Sequence, residues 1–319
     1  MEDTGKNNVQ GAGYALAAMG VYATHDVIIK TLGAHYTAFQ IVFFAALLSF
    51  PLVTLILVRD RSGGNLRPVH PWWTGLRTGC AVITGTSAFY AFSVLPLAQT
   101  YALLFATPLL VTVFSVPILG EKVHARRWAA VIVGLAGVLI VLRPGGDTQL
   151  GLGHLAGIVS ALTASLAAVT VRKIARDERP VVLLLFPLLG NFIAMACVMP
   201  FVYVPVPIGH LGLWAIVACM GLVGAFLQIR AYSTGEAVIV APMQYSQIIW
   251  ATAYGFLLFG ETPDRFTLLG AAVIIGSGIY IVLRERSRPG SLQPVMGADG
   301  RAQTLAPRPS VLRRALNWH

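Results

Sequence analysis

Long apolar runs separated by short polar or turn-rich pieces organise the chain up to about residue 284. Ten of these runs approach the roughly 20 residues that carry an α-helix across a hydrocarbon core about 30 Å thick. The first five are expected at about Gly11–Gly33, Tyr36–Val58, Trp73–Leu95, Leu97–Leu119 and Trp128–Leu142, the last able to extend through Arg143. The second five are expected at about His154–Val171, Val182–Tyr203, Leu211–Ala231, Ala237–Phe259 and Phe266–Leu283. Turn-rich stretches at Arg59–Asn65, Pro144–Asp147 and Tyr203–His210 punctuate them. The first run has span length and no small-residue cleavage site after it, so it reads as a retained helix and not a signal peptide. The expected fold class is an all-α polytopic membrane protein.

Composition agrees. Only 11% of the 319 residues are charged and 56% are hydrophobic, whereas soluble domains carry roughly 25% charged residues. Too few polar side chains exist to coat a water-facing globule, which excludes a soluble enzyme, a disordered protein and a disulfide scaffold. Cys80, Cys197 and Cys219 lie inside apolar runs and read as small core residues, not as a metal or redox set. From about residue 287 to 319 the chain turns to Pro, Gly, Ser, Gln and Arg, the composition of a disordered basic tail.

The net charge of +10 changes the picture only through its placement. With the N-terminus cytoplasmic, 19 of the 23 Lys and Arg fall in cytoplasmic segments and the tail. Arg143 and Arg265 alone fall outside, and Lys30 and Arg77 lie within spans. The positive-inside rule then predicts cytoplasmic N- and C-termini, with residues 1–10 as the cytoplasmic N-terminus. The basic balance is a topology signal, and the expected macromolecular surroundings are a lipid bilayer and no nucleic acid.

The halves resemble each other. Ile118-Leu119-Gly120-Glu121 closes the fourth run and Leu258-Phe259-Gly260-Glu261 the ninth. Each is followed by a helix with a glycine pair (Gly134/Gly137, Gly276/Gly278) ending in Leu142-Arg143 or Leu283-Arg284. Recurrence at one place in each half marks an internal repeat. Five spans per repeat is odd, so the second repeat enters from the opposite side, with Glu121 at the cytoplasmic face and Glu261 at the external one. Inverted repeats place a central site between the halves and suit alternating access.

Ala241-Pro242, Tyr245, Gly255, Phe259-Gly260-Glu261, Pro263-Asp264, Leu269-Gly270, Gly278-Ile279-Tyr280 and Arg284-Glu285 resemble the C-terminal repeat of EamA-type transporters of the drug/metabolite transporter superfamily. Pro108, Gly120-Glu121 and Gly134 resemble the first repeat more loosely. The resemblance covers about residues 11–284, with repeats at 11–143 and 154–284. It implies ten helices in two inverted five-helix repeats and solute transport across a bacterial inner membrane. Pro242 to Glu285 most resembles the branch of riboflavin and S-adenosylmethionine importers. Related sequences often carry an arginine after Gln-x-x-Phe-Phe; here Gln40-Ile41-Val42-Phe43-Phe44 is followed by Ala45.

Ionisable groups inside a span cost about 2.5–3.5 kcal/mol each on insertion scales. Asp26 is read as a substrate or proton group, or as half of an i,i+4 pair with Lys30. His25 is a second candidate for proton coupling, although it points about 100° away from Asp26. Gln244, Gln247, Trp250 and Tyr254 form a polar-aromatic stripe able to line a cavity, against a packing reading. Tyr101 heads the matching stripe of the fourth helix, and Asn191 is either a site residue or an interhelical bond. Arg77 is read as snorkelling within a Gly75-x-x-x-Gly79 packing motif, and Arg230 as a partner for Glu236. Glu121 and Glu261 are read as carboxylates that complement the N-terminus of the next span.

Metalloprotease, P-loop, prenyl-phosphate and Cys-x-x-Cys motifs are missing, so no catalytic residue, metal or cofactor is expected. Gly151-x-Gly153-x-x-x-Gly157 misses the nucleotide-loop spacing and reads as close packing. The expected function is secondary transport of a small organic metabolite, first riboflavin uptake. Export of amino acids or drugs is the alternative, and an intramembrane enzyme or non-transporting subunit is the alternative from another class. A monomer or homodimer is expected.

Overall fold

The computed structural model describes residues 2–59, 66–121, 123–143, 150–175, 177–235 and 237–286. Their structure is helical throughout, and no strand occurs among them. The first five passes are α1 (Glu2–Gly33), α2 (Ala38–Arg59), α3 (Pro71–Val94), the pair α4 (Leu97–Leu104) and α5 (Thr107–Leu119), and α6 (Ala125–Leu142). The second five are α7 (Leu152–Ile174), α8 (Pro180–Val202), α9 (Ile208–Thr234), the broken pass α10 (Ala237–Val240) to α11 (Gln247–Phe259), and α12 (Arg265–Arg286). Ala241–Ser246 forms a 3₁₀ turn between α10 and α11.

The ten passes lie where the apolar runs put them, with two differences of form. The fourth and ninth are broken, the fourth at Phe105-Ala106 just before Pro108 and the ninth at the 3₁₀ turn holding Pro242. Proline has no N–H to continue a helical ladder, and its ring crowds the preceding turn. The first helix also reaches back to Glu2, and its 32 residues make it about 48 Å long at helical rise, longer than a hydrocarbon core.

Six described segments are long and apolar enough by themselves to cross a membrane: Leu97–Leu119, Ala125–Leu142, Leu152–Ile174, Val181–Val202, Gly209–Tyr232 and Arg265–Val282. The other passes are α1 and α3, which bury polar and charged side chains, α2, which is apolar over Ala38–Pro51, and the broken ninth.

The halves interlock. The most extensive helix contacts pair α1 with α9, α3 with α7, α6 with α12 and α2 with α8. Every one joins a helix of the first half to one of the second. The α6–α12 contact depends on missing side chains: a Cβ on Gly137 would stand 2.9 Å from the Gly270 carbonyl, and one on Gly270 2.6 Å from that of Gly137. Gly153 and Gly157 likewise admit Val94, Leu95 and Leu103, as close packing requires. Gly75 and Gly79 face open space, so the Gly-x-x-x-Gly reading fails there. Cys80 is buried, but Cys197 and Cys219 are exposed and are not core residues. A helix apolar on every side has no polar face to reveal which flank meets lipid.

The ends of the fourth and ninth passes repeat in detail. Gly120 and Gly260 take left-handed conformations, with φ of 69° and 66°. The next amides close over the helix end, Glu121 N–H to Ser115 O at 3.4 Å and Glu261 N–H to Gly255 O at 2.8 Å. Left-handed backbone is a glycine conformation, and in both places it turns the chain so that an amide six residues on caps a carbonyl of the last helical turn.

Candidate functional site

Asp26 is fully buried and His25 nearly so, both in α1. His25 Nδ1 lies 2.8 Å from Asp26 Oδ1, and the Tyr101 hydroxyl donates to Asp26 Oδ2. An ionised carboxylate only accepts, so His25 donates through Nδ1 in that state. Tyr101 lies in α4, and its carbonyl accepts the Phe105 amide at the break in the fourth pass. The three groups therefore join the first and fourth passes beside interrupted backbone. Phe92 and Phe105 wall in the Tyr101 ring, and Phe89 meets the edge of His25. A carboxylate in so apolar a shell needs these donors, because an unpaired buried charge is strongly penalised.

Two sequence expectations change here. Lys30 does not pair with Asp26: its Nζ lies 2.6 Å from Glu261 Oε1 and donates to the Leu95 carbonyl at 2.5 Å. Lys30 points instead toward the helix ends, where the caps of α3 and α11 present acceptors. His25 and Asp26, expected on diverging faces, bond to each other at 2.8 Å, because staggered rotamers let adjacent side chains converge at their tips.

The stripe of the ninth pass is divided. The 3₁₀ turn rewinds the backbone, so Gln244 Nε2 reaches the Tyr232 hydroxyl of α9 at 2.7 Å, while Gln247 is buried at the start of α11. Trp250 and Tyr254 stack at 6.1 Å between centroids. Tyr254 hydrogen-bonds Thr24 at 3.0 Å, and Trp250, more than one-third exposed, flanks Gly20. Thr24 and Asp26 stand about 200° apart around α1. The candidates thus form two groups on opposite flanks of α1: Asp26, His25 and Tyr101 on one, Trp250 and Tyr254 on the other.

Asn191 is not an interhelical bond; its Nδ2 donates to the Pro187 carbonyl of its own helix at 2.9 Å, and its Oδ1 faces Gly85. Arg77 does not snorkel, because it is fully buried. Arg230 stacks over Phe226 at 5.4 Å, and its expected partner Glu236 lies outside the described residues.

Sequence reasoning passed over a reciprocal pair of ion pairs. Glu121, at the end of the fourth pass, holds Arg172 of α7 at 2.6 Å. Glu261, at the end of the ninth, holds Lys30 of α1 at 2.6 Å. Each glutamate of one half thus grips the first helix of the other half. The signal was present: the two bases are 142 residues apart and the two glutamates 140. Glu261 also accepts the Leu97 amide at 3.0 Å, so it complements the N-terminus of α4 and not that of the following span. Arg143 pairs with Asp264 on the same side as Glu261, and His70 meets Asp177 on the side of Glu121. With ten alternating passes, each of these contacts joins ends that lie on one face.

A bundle of ten mostly apolar passes, interlocked by halves around buried polar groups and broken helices, defines a multi-pass membrane transporter. The EamA-like transporter family matches the chain twice, over residues 9–143 and 151–284, and the chain belongs to that family. It is 25% identical over 286 residues to an S-adenosylmethionine uptake transporter of Rickettsia bellii, covering 90% of this chain and 98% of that one. It is 26% identical to the pseudopaline exporter CntI of Pseudomonas aeruginosa, over 82% of this chain and 92% of that one. It is 27% identical to a riboflavin transporter of Rhizobium johnstonii, over 87% and 90% of the two chains. A solved crystal structure at 20% identity shares the fold, with a TM-score of 0.59 over 88% of this chain and 98% of that one.

Proposed function

We propose that the chain is a secondary transporter that takes up a small, positively charged or zwitterionic metabolite by alternating access, with Asp26, His25 and Tyr101 at its solute or proton site. The observation that carries this reading is the fully buried Asp26 carboxylate, bonded across from α1 to α4 beside the break in the fourth pass. Broken helices at mid-membrane offer backbone ends to a solute, and an intramembrane carboxylate is costly unless it binds something. Among the three relatives, S-adenosylmethionine, with its sulfonium and ammonium groups, suits a buried carboxylate. Riboflavin is neutral, and the stacked Trp250 and Tyr254 support it as the second reading, since flat rings favour a planar ligand.

The proposed setting is a bacterial inner membrane with both termini inside, on the strength of the Lys and Arg distribution. The proposed units are repeats at 11–143 and 154–284 and a cytoplasmic tail at 287–319. In this arrangement Lys30–Glu261 closes the external face and Arg172–Glu121 the cytoplasmic one. Both latches join opposite halves, so each breaks when the halves rock open on its side.

The test is uptake of labelled S-adenosylmethionine and riboflavin by proteoliposomes holding the full chain. Saturable entry of unaltered S-adenosylmethionine, lost in Asp26→Asn, is the expected result. Entry of riboflavin alone selects the second reading. Entry of neither, or chemical conversion of the solute, defeats the proposal.

A further inference from the structure

Arg77 is a full positive charge with no exposed surface, and Nε, Nη1 and Nη2 all lack a hydrogen-bond partner. It stands seven residues into α3, about 10 Å from the start of that helix. One turn earlier on the same flank, the buried Thr74 hydroxyl also lacks a partner, and so does the adjacent Thr78 hydroxyl. These groups are donors without an acceptor. Isolated buried charge is among the costliest arrangements a protein can hold, and a guanidinium fork matches a carboxylate in two parallel bonds. Donors left without an acceptor define the missing chemistry: an anion.

We propose that Arg77, with Thr74 and Thr78, is an anion subsite that receives the carboxylate of the transported solute on the side of the membrane where α3 begins. The proposal rests on the transport reading above for the identity of its ligand. The subsite is separate from Asp26. His25 meets Phe89 of α3, and Arg77 lies twelve residues before Phe89, about 18 Å nearer the helix start. Above it the face is shut by Arg172–Glu121 and by Lys173 over the Trp73 ring at 4.3 Å. Opening that latch would bring water and solute to Arg77, so the subsite serves a solute entering or leaving on that side. The opposing acid to account for is Glu178, buried beside the start of α3. Its Oε1 accepts the His70 amide at 2.6 Å, and its Oε2 is unpartnered. Glu178 makes no ion pair with Arg77, so the guanidinium is left for a ligand.

Thermal unfolding of the purified full-length protein in neutral detergent, in sodium acetate against sodium chloride at equal ionic strength, tests this directly. Wild type should melt a few degrees higher in acetate, beyond the difference seen in Arg77→Met. Arg77→Lys should keep part of that response. Without acetate, Arg77→Met should melt above wild type, because an apolar side chain replaces an uncompensated charge. Glu178→Gln should retain or enlarge the acetate response. A wild type indifferent to acetate overturns the subsite. So does an Arg77→Met protein that melts lower or fails to fold, which would show a structural partner. An acetate response appearing only in Glu178→Gln overturns it as well, because Glu178 would then be the counter-ion. A protein that answers acetate through Arg77 yet carries no solute into proteoliposomes keeps the subsite and defeats the transport reading alone.

Discussion

Asp26 is the residue whose cost most demands a use. Asp26→Asn keeps the shape and removes the charge, so it should abolish net uptake while the protein remains folded in the membrane; flux at matched expression is the measurement. Tyr101→Phe removes one donor to a buried carboxylate, a bond to a charged group worth about 1.5–3 kcal/mol. It should lower the melting temperature and reduce uptake at least several-fold. Normal uptake by Tyr101→Phe at equal expression would detach Tyr101 from the site. The sequence showed that Asp26 was expensive but named the wrong partner. Lys30 lies four residues away and is the natural candidate by helical geometry, whereas Glu261 becomes its neighbour only through the interlocking of the halves.

At the scale of elements, the passes were legible because each run approaches span length; six are apolar enough by themselves, and α1 and α3 keep that length while burying polar groups. Their breaks were not, since Pro51, Pro117, Pro187 and Pro200 lie inside continuous helices while Pro108 and Pro242 adjoin interruptions. Proline permits a break, and packing decides whether one forms. The 3₁₀ turn in turn divides a stripe that looked continuous by spacing. Trp250→Ala should therefore reduce riboflavin entry and leave S-adenosylmethionine entry intact, as competition between the two solutes would measure. An equal loss for both solutes would place the ring in the shared path. The α6–α12 contact offers a packing test. Gly137→Val must displace the Gly270 backbone, and overpacking of this kind costs typically about 1–3 kcal/mol, so its melting temperature should fall while Gly75→Val leaves it unchanged.

On the scale of the whole molecule, the central claim is that two interlocked halves rock about buried polar groups, with one latch on each face. The latches were readable only in part, as repeated Gly-Glu ends, because their partners sit on the first helix of the opposite half. As an ion pair, Lys30–Glu261 should tolerate joint removal better than the loss of one member. Lys30→Gln with Glu261→Gln should thus melt above either single variant, since breaking a half-buried pair leaves a lone charge in a largely apolar surrounding. Glu261 also accepts the Leu97 amide, and glutamine keeps an oxygen at the same reach for that bond.

The most direct measurement is transport with each latch bridged by a reducible bifunctional thiol cross-linker between introduced cysteines, which spans what the long side chains span, in a chain whose Cys80, Cys197 and Cys219 have been replaced. Lys30→Cys with Glu261→Cys holds one face shut, and Glu121→Cys with Arg172→Cys holds the other. Rocking between two faces predicts that either lock alone stops S-adenosylmethionine flux and that reduction restores it. Undiminished flux through either fully cross-linked protein would contradict alternating access across these two latches.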